Sequence, residues 1–157
     1  QTAVFSSSIM IIFAVVGLYQ YIVASEQMGA QLLTFVESLN MSKNVFLVFS
    51  TLFFLLMGCV LDAVPVMLIF FPVLLPIAVQ LGIDPTHYGV IVVLNLMIGL
   101  LTPPIGALLF IQTKIADLPF RVLIGAIWPF TLALIVVLLL ATFAPPIVLW
   151  LPKLVFG

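Results

Sequence analysis

Apolar stretches separated by short polar interruptions run the length of the chain, at residues 3–24, 44–61, 63–81, 88–111 and 122–150. Most are near the roughly 20 residues a helix needs to cross about 30 Å of hydrocarbon. The first, "VFSSSIMIIFAVVGLYQYIVA", is apolar nearly all round and stops near Ser25, which predicts a membrane-spanning helix over 1–25. "SEQMGAQLLTFVESLNMS" has another pattern: Met28, Leu32, Phe35, Val36 and Leu39 recur at helical spacing, with Gln27, Gln31, Thr34 and Ser38 on the other face. Residues 26–42 are therefore expected to form an amphipathic helix lying along the interface. A surface loop helix and a bar joining two moving parts are both open readings of it.

The next stretch, "NVFLVFSTLFFLLMGCVLDAVPVMLIFFPVLLPIAV", carries one charge, Asp62, near its midpoint, with Gly58 before it and Pro65 after. One unbroken helix over 44–79 would extend about 54 Å, well beyond the hydrocarbon thickness. Two short helices meeting at 58–65 and returning to the side they came from fit better, so 43–81 reads as a re-entrant hairpin. Irregular backbone at that depth is tolerated only where protein or a watery cavity covers it.

"LGIDPTHYG" is then a polar turn at the membrane surface, with Asp84-Pro85 capping the helix that follows. His87, in this turn, reads as an interfacial residue before a ligand or proton carrier. A helix over 86–115 should be broken at 100–105, because "NLMIGLLTPPIGALLF" places Pro103 and Pro104 in its middle. Two prolines remove the donors for the carbonyls of Gly99 and Leu100, and they push Thr102 and Pro103 toward extended conformations. "KIADLPFR" is a short loop, and 121–150 a terminal transmembrane helix with Pro129 a candidate bend. Trp150 and Lys153 suit an interface.

Composition fixes the solvent: the chain is 66% hydrophobic and 6% charged, with a mean hydropathy of +1.49, so an all-α multi-pass membrane protein in a lipid bilayer is expected. A net charge of -1 speaks against a polybasic lipid surface or a nucleic-acid partner. The single cysteine, Cys59, excludes a disulfide framework and reads as a small packing residue. The chain begins with Gln1 and shows no signal peptide, and 157 residues are few for a solute pathway, so part of a longer polypeptide or larger assembly is expected. Lys114 and Arg121 share one loop while Lys43 and Lys153 fall opposite, which orients the 114–121 loop to the cytoplasm.

The chemistry concentrates at the two breaks. Carbonyls released by Pro103 and Pro104, with the Thr102 hydroxyl, form a patch of oxygens in a low-dielectric medium, and oxygen-only ligands suit a hard cation such as Na⁺. Discontinuous helices of secondary transporters commonly hold cations at unwound carbonyls and anions at half-helix N-termini. The half-helix starting near Gly106 would offer N–H groups to an anion. Asp62 is costly at mid-membrane and reads either as a cation-linked carboxylate or as a cap of the second hairpin helix, which Pro65 weakens. Asn95 divides between a substrate or ion contact and an interhelix hydrogen bond. Gly58, Gly89, Gly99 and Gly106 are all possible packing glycines; for Gly58 and Gly99, each beside a break, exposure of backbone to a ligand is preferred.

The run "GCVLDAVPVMLIFFPVLLPIAVQLGIDPTHYGVIVVLNLMIGLLTPPIGALLF" closely resembles the C-terminal half of the large membrane subunit of tripartite ATP-independent periplasmic (TRAP) transporters. The matching elements are G-x-x-x-D, P-x-x-x-P, G-I-D-P-x-H-[FY]-G, N-x-x-x-G-L-x-T-P-P-x-G and the closing "LWLP". The resemblance implies half of an inverted-repeat, elevator-type transporter in the bacterial or archaeal cytoplasmic (inner) membrane. It implies Na⁺-coupled import of small organic anions, namely C4-dicarboxylates, other carboxylates or sialic acid. It makes 1–25 a scaffold helix and 26–42 an arm between scaffold and transport domain. By the same resemblance Gly58 to Asp62 form the hairpin tip, and Gly99, Thr102 and Pro103 line a sodium site; the residues themselves, Asn95 and the half-helix start at Gly106, point to the substrate side. Implied partners are the N-terminal repeat of the same permease, a small four-helix membrane subunit and a periplasmic substrate-binding protein. The first repeat is absent from this sequence, so the chain alone is not expected to transport.

Other readings are a non-transporting assembly subunit, a permease of a related anion:sodium symporter family without a binding protein, and an intramembrane aspartyl protease. The protease needs a second embedded carboxylate, and Asp84, Asp117, Glu26 and Glu37 all fall in expected polar turns. Neither a G-x-S-x-G elbow nor an H-E-x-x-H helix is present, so no enzyme is expected.

Overall fold

A computed structural model describes residues 2–26, 32, 34, 36, 41–102, 106–117 and 119–156. Most of the amphipathic segment expected over 26–42, together with Pro103 and Pro104, lies outside the described residues. Among the described residues the secondary structure is helical throughout: α1 (Thr2–Ser25), α2 (Lys43–Val60), α3 (Ala63–Gln80), α4 (Pro85–Leu100), α5 (Ala107–Ala116), α6 (Phe120–Phe143) and α7 (Pro145–Phe156). By length and composition α2, α3 and α6 can each cross a bilayer.

Local chemistry sets several of these ends. Ser42 caps α2 by accepting from the Val45 N–H at 3.5 Å. Asp84 Oδ1 caps α4, accepting from the N–H groups of Thr86 at 2.8 Å and His87 at 3.2 Å, with Pro85 in the first turn, where a missing N–H costs nothing. Between α2 and α3 the backbone is extended at Leu61 and Asp62, and there the chain reverses. Phe53 and Phe70, equally far from that turn on either side, meet edge to face with centroids 5.1 Å apart. At the open end Lys43 Nζ donates to the Gly82 carbonyl at 3.0 Å. These two contacts require an antiparallel hairpin and exclude a single long rod.

Helix α4 packs against both arms of this hairpin. Tyr88, fully buried, lies 5.9 Å from Phe46 of α2 and stacks on Phe71 of α3 at 5.8 Å. Its hydroxyl shares a buried 2.7 Å hydrogen bond with Ser50 of α2. Phe46, Phe54, Val66, Ile77, Ile91 and Leu96 complete the core between the three helices. Elsewhere large apolar side chains point outward, as Phe130 (71% exposed) does on α6. In lipid such exposure carries little penalty, so helix association rests on close packing and interhelical hydrogen bonds. Gln20 of α1 makes one such bond, donating to the Leu68 carbonyl of α3 at 3.0 Å.

Two sequence expectations are corrected here. His87 is not an interfacial turn residue: it is 1% exposed, and its Nε2 lies 2.8 Å from the Ala141 carbonyl of α6. The turn belongs to the surface, but the first turn of α4 rotates this side chain inward against a helix 54 residues further on. The terminal helix expected over 121–150 is two helices, since α6 passes Pro129 without interruption and stops at Ala144, ahead of Pro145 and Pro146. Successive prolines there remove the N–H groups that would continue the helix.

Candidate ion and solute site

Because α2 runs beside α4 in the same direction, the hairpin tip reaches the end of α4, where the chain is broken. Gly58 and Gly99 meet at this crossing, both buried. A Cβ on Gly99 would lie 2.7 Å from the Gly58 carbonyl carbon and 2.8 Å from the Leu55 carbonyl oxygen; one on Gly58 would lie 2.9 Å from the Leu96 carbonyl oxygen. No other residue type allows two helix backbones so close. Close packing is thus what the surroundings of both glycines display, where the sequence favoured exposure to a ligand.

A second contact joins tip to break. Gly106, buried and in the left-handed region at φ 47, donates its N–H to the Cys59 carbonyl at 3.3 Å. That amide, expected to face an anion, is taken by the hairpin tip. The Gly99 carbonyl, expected to lose its donor, accepts the Thr102 N–H at 2.9 Å. The helix end tightens to i→i+3 bonding and recovers a donor from within the last turn before the prolines.

Thr102, half-buried, donates its hydroxyl hydrogen to the Ile98 carbonyl at 2.7 Å. With the hydrogen committed, the lone pairs of Oγ1 remain available to an electron-poor partner. Asp62 occupies the N-cap position of α3 but makes no capping bond, because Pro65 at the third helical position has no N–H to give. Its side chain is exposed, three residues beyond Cys59. The cap reading of Asp62 is therefore set aside. Pro103 lies outside the described residues.

Asn95 is fully buried on α4, one turn before Gly99. Its Nδ2 donates to the Ile91 carbonyl at 2.8 Å, while its Oδ1 has no hydrogen-bond partner among the described residues. The bond runs within α4, so the interhelix bond weighed from the sequence is not what this side chain makes. A buried carbonyl oxygen without a donor costs about 1–3 kcal/mol of desolvation, and such an exception requires an explanation.

The two breaks each offer oxygen ligands of the hard type, Asp62 with its uncapped carboxylate beside the hairpin tip and Thr102 with its hydroxyl hydrogen turned away at the end of α4, along with backbone carbonyls of two lone pairs each. The contacts that bring the breaks together are those of Gly58 with Gly99 and of Cys59 with Gly106. Among the described residues no group of three or more His, Cys, Asp or Glu side chains could hold a metal ion. Sequence reasoning did not single out Ser50, and it named His87 without the part it plays with Ser50 and Tyr88 in fastening α4 at its other end. For His87 a signal was available in the four-residue spacing from Ala141 to Pro145, which leaves that carbonyl without a helical donor.

Comparison with known proteins bears on this geometry. Residues 1–147 match the family described as the tripartite ATP-independent periplasmic transporter, DctM component. The sialic acid TRAP transporter large permease protein SiaM of Vibrio cholerae is 36% identical over 142 residues, covering 90% of this chain and 33% of that protein. The C4-dicarboxylate TRAP transporter large permease protein DctM of Pseudomonas aeruginosa is 35% identical over 145 residues, covering 92% and 34%. An isethionate TRAP transporter permease protein, DctMQ of Oleidesulfovibrio alaskensis, is 29% identical over 142 residues, covering 90% and 22%. The chain thus spans about a third of the length of the first two relatives.

Proposed function

Since the chain belongs to the DctM-component family of TRAP transporters, a family of multi-pass membrane permease proteins and not of enzymes, we propose that it forms the C-terminal part of a large permease subunit and contributes half of a sodium and organic-anion site. The single observation that carries this reading is the contact of the hairpin tip with the broken helix, through Gly58 on Gly99 and Cys59 on Gly106. Asp62, Thr102 and carbonyls near Gly58, Gly99 and Pro103 supply oxygens to Na⁺, the coupling ion carried as cargo. The unpartnered Oδ1 of Asn95 serves the solute side, where a hydroxyl or other donor would meet it. Gly106 acts through its backbone fold, with the anion met by amides in the first turn of α5 that have no intrahelical acceptor. The small anions carried by relatives, sialic acid and C4-dicarboxylates, define the substrate class.

Re-entrance of 43–81 is part of this proposal, and helix lengths support it. Helix α6, at 24 residues, extends about 36 Å. Its C-terminal end meets the start of α4 at His87, and α5 packs along it as well. Helix α4, at 16 residues, covers about 24 Å of that height. Measured along its own axis, α4 is thus about 12 Å shorter than α6. In an elevator cycle the hairpin and α4 would move as one body against a scaffold that includes α1, linked by the arm at 26–42. The remaining repeat, the small membrane subunit and the periplasmic binding protein complete the transporter, with the 114–121 loop toward the cytoplasm of an inner membrane.

The test uses the complete transporter in liposomes. Asp62→Asn and Thr102→Val are each expected to raise the Na⁺ concentration for half-maximal uptake about tenfold or more, the effect of removing about 1.4 kcal/mol of ligation. Sodium dependence identical to that of the unaltered transporter in both variants would remove the site assignment.

A further inference from the structure

His87, the chain's single histidine, is buried, and the proposed site does not use it. Its acceptor is unusual. In an α-helix the carbonyl of Ala141 would take the N–H of residue 145, and residue 145 is a proline with no N–H. The neighbouring chain makes no substitute bond to it: the Ala144 N–H goes to the Leu140 carbonyl at 2.9 Å, and the Thr142 hydroxyl folds back on the Leu138 carbonyl at 2.7 Å. The Ala141 carbonyl can only accept, so the ring presents Nε2–H, and this hydrogen takes the place of the missing backbone donor.

This bond does more than cap α6. His87 is the third residue of α4, the helix whose opposite end carries Gly99 and Thr102, and twelve residues of helix separate the ring from Gly99, about 18 Å. At the His87 end α4 is fixed to the hairpin by the Ser50–Tyr88 bond, and to α6 by the bond from His87 to the Ala141 carbonyl. A lengthwise slide or rotation of α4 would lift Gly99 off Gly58, where a Cβ's width of clearance does not exist.

We propose that His87 is a positioning residue: by donating to the carbonyl that Pro145 leaves open, it sets the axial register of α4 and so keeps the broken end of that helix seated on the hairpin tip. Its importance for transport rests on the reading of 58–62 and 99–106 as the ion site, but the seating itself does not. The chain contains a built-in reporter, since its single cysteine, Cys59, is 5% exposed in the tip, at the opposite end of α4 from His87.

The experiment measures the alkylation rate of Cys59 by a membrane-permeant maleimide, using the full chain in lipid nanodiscs without sodium. His87→Leu keeps apolar bulk but removes the donor, and should react about tenfold faster, the size of effect expected from losing one buried hydrogen bond. His87→Gln restores an N–H at similar reach and should react at the unaltered rate, a rescue that a mere volume effect would not give. Pro145→Ala supplies a competing backbone donor to Ala141 with the histidine intact, and should raise the rate about threefold as the shared acceptor weakens the ring's hold. An unchanged rate in His87→Leu, or a rate in His87→Gln equal to that of His87→Leu, overturns the proposal. If His87→Leu does not fold, Pro145→Ala decides, and an unchanged rate there overturns it. Because no sodium is present, failure here is distinct from failure of the ion site, which the uptake variants test.

Discussion

At Gly99 a single hydrogen stands where any other residue would carry a carbon 2.7 Å from the backbone of Gly58. Backbone cannot rotate aside as a side chain can, so Gly99→Ala should destabilise the protein by about 1–3 kcal/mol through overpacking, seen as a lower unfolding midpoint in detergent. Gly125→Ala on α6 is the control: nothing lies within 4 Å of its added carbon, and the loss of glycine's backbone freedom should leave stability unchanged or improved by about 0.5–1 kcal/mol. Asn95 tests the opposite relation between stability and use. Asn95→Leu removes an oxygen that has no donor among the described residues, so the unfolding midpoint should hold or rise while uptake by the complete transporter falls. A loss of both together would make Asn95 an ordinary structural amide. The residue types proposed for the site could be picked out from the sequence, because glycine, proline and a carboxylate between two apolar runs each impose a local constraint. Which hydrogen-bonding groups stay open was not: the Gly106 amide and the Gly99 carbonyl both found partners, one across the fold and one within a tightened helix end.

Among the elements, the hairpin and the interrupted helix were foreseeable from length and proline chemistry alone. The end of α6 was misread, since the helix was expected to run to 150 and its stop falls at Ala144. A lone proline deletes one backbone bond and bends a helix without ending it, whereas Pro145-Pro146 deletes two in succession. The attachment between α2 and α4 is testable by itself. In a double-mutant cycle of Ser50→Ala and Tyr88→Phe, the buried 2.7 Å bond should give a coupling energy of about 0.6–1.7 kcal/mol, the range for interhelical hydrogen bonds in lipid. A coupling indistinguishable from zero would mean that aromatic packing of Tyr88 on Phe46 and Phe71 holds the two helices without it.

For the whole molecule, the contacts fix which ends lie together. The start of α2, the end of α3, the start of α4 and the end of α6 share one end through Lys43 with Gly82 and His87 with Ala141, whereas the turn between α5 and α6 is at the other end of α6. Cysteines introduced singly at Asp84 and Asp117, both exposed, in a Cys59→Ser background should therefore be labelled by an impermeant maleimide from opposite faces of sealed vesicles. Labelling of both from one face would contradict this layout. Sequence alone determined that the chain lives in lipid, that its helices stop where they do near Asp62 and Thr102, and that oxygen donors collect at those stops. Each of these follows from composition or from the chemistry of adjacent residues. Only the tertiary structure decided that the two stops touch, that His87 turns inward to a carbonyl 54 residues away, and that two glycines make the crossing. Such pairings are properties of how helices pack, and no single stretch of chain contains them.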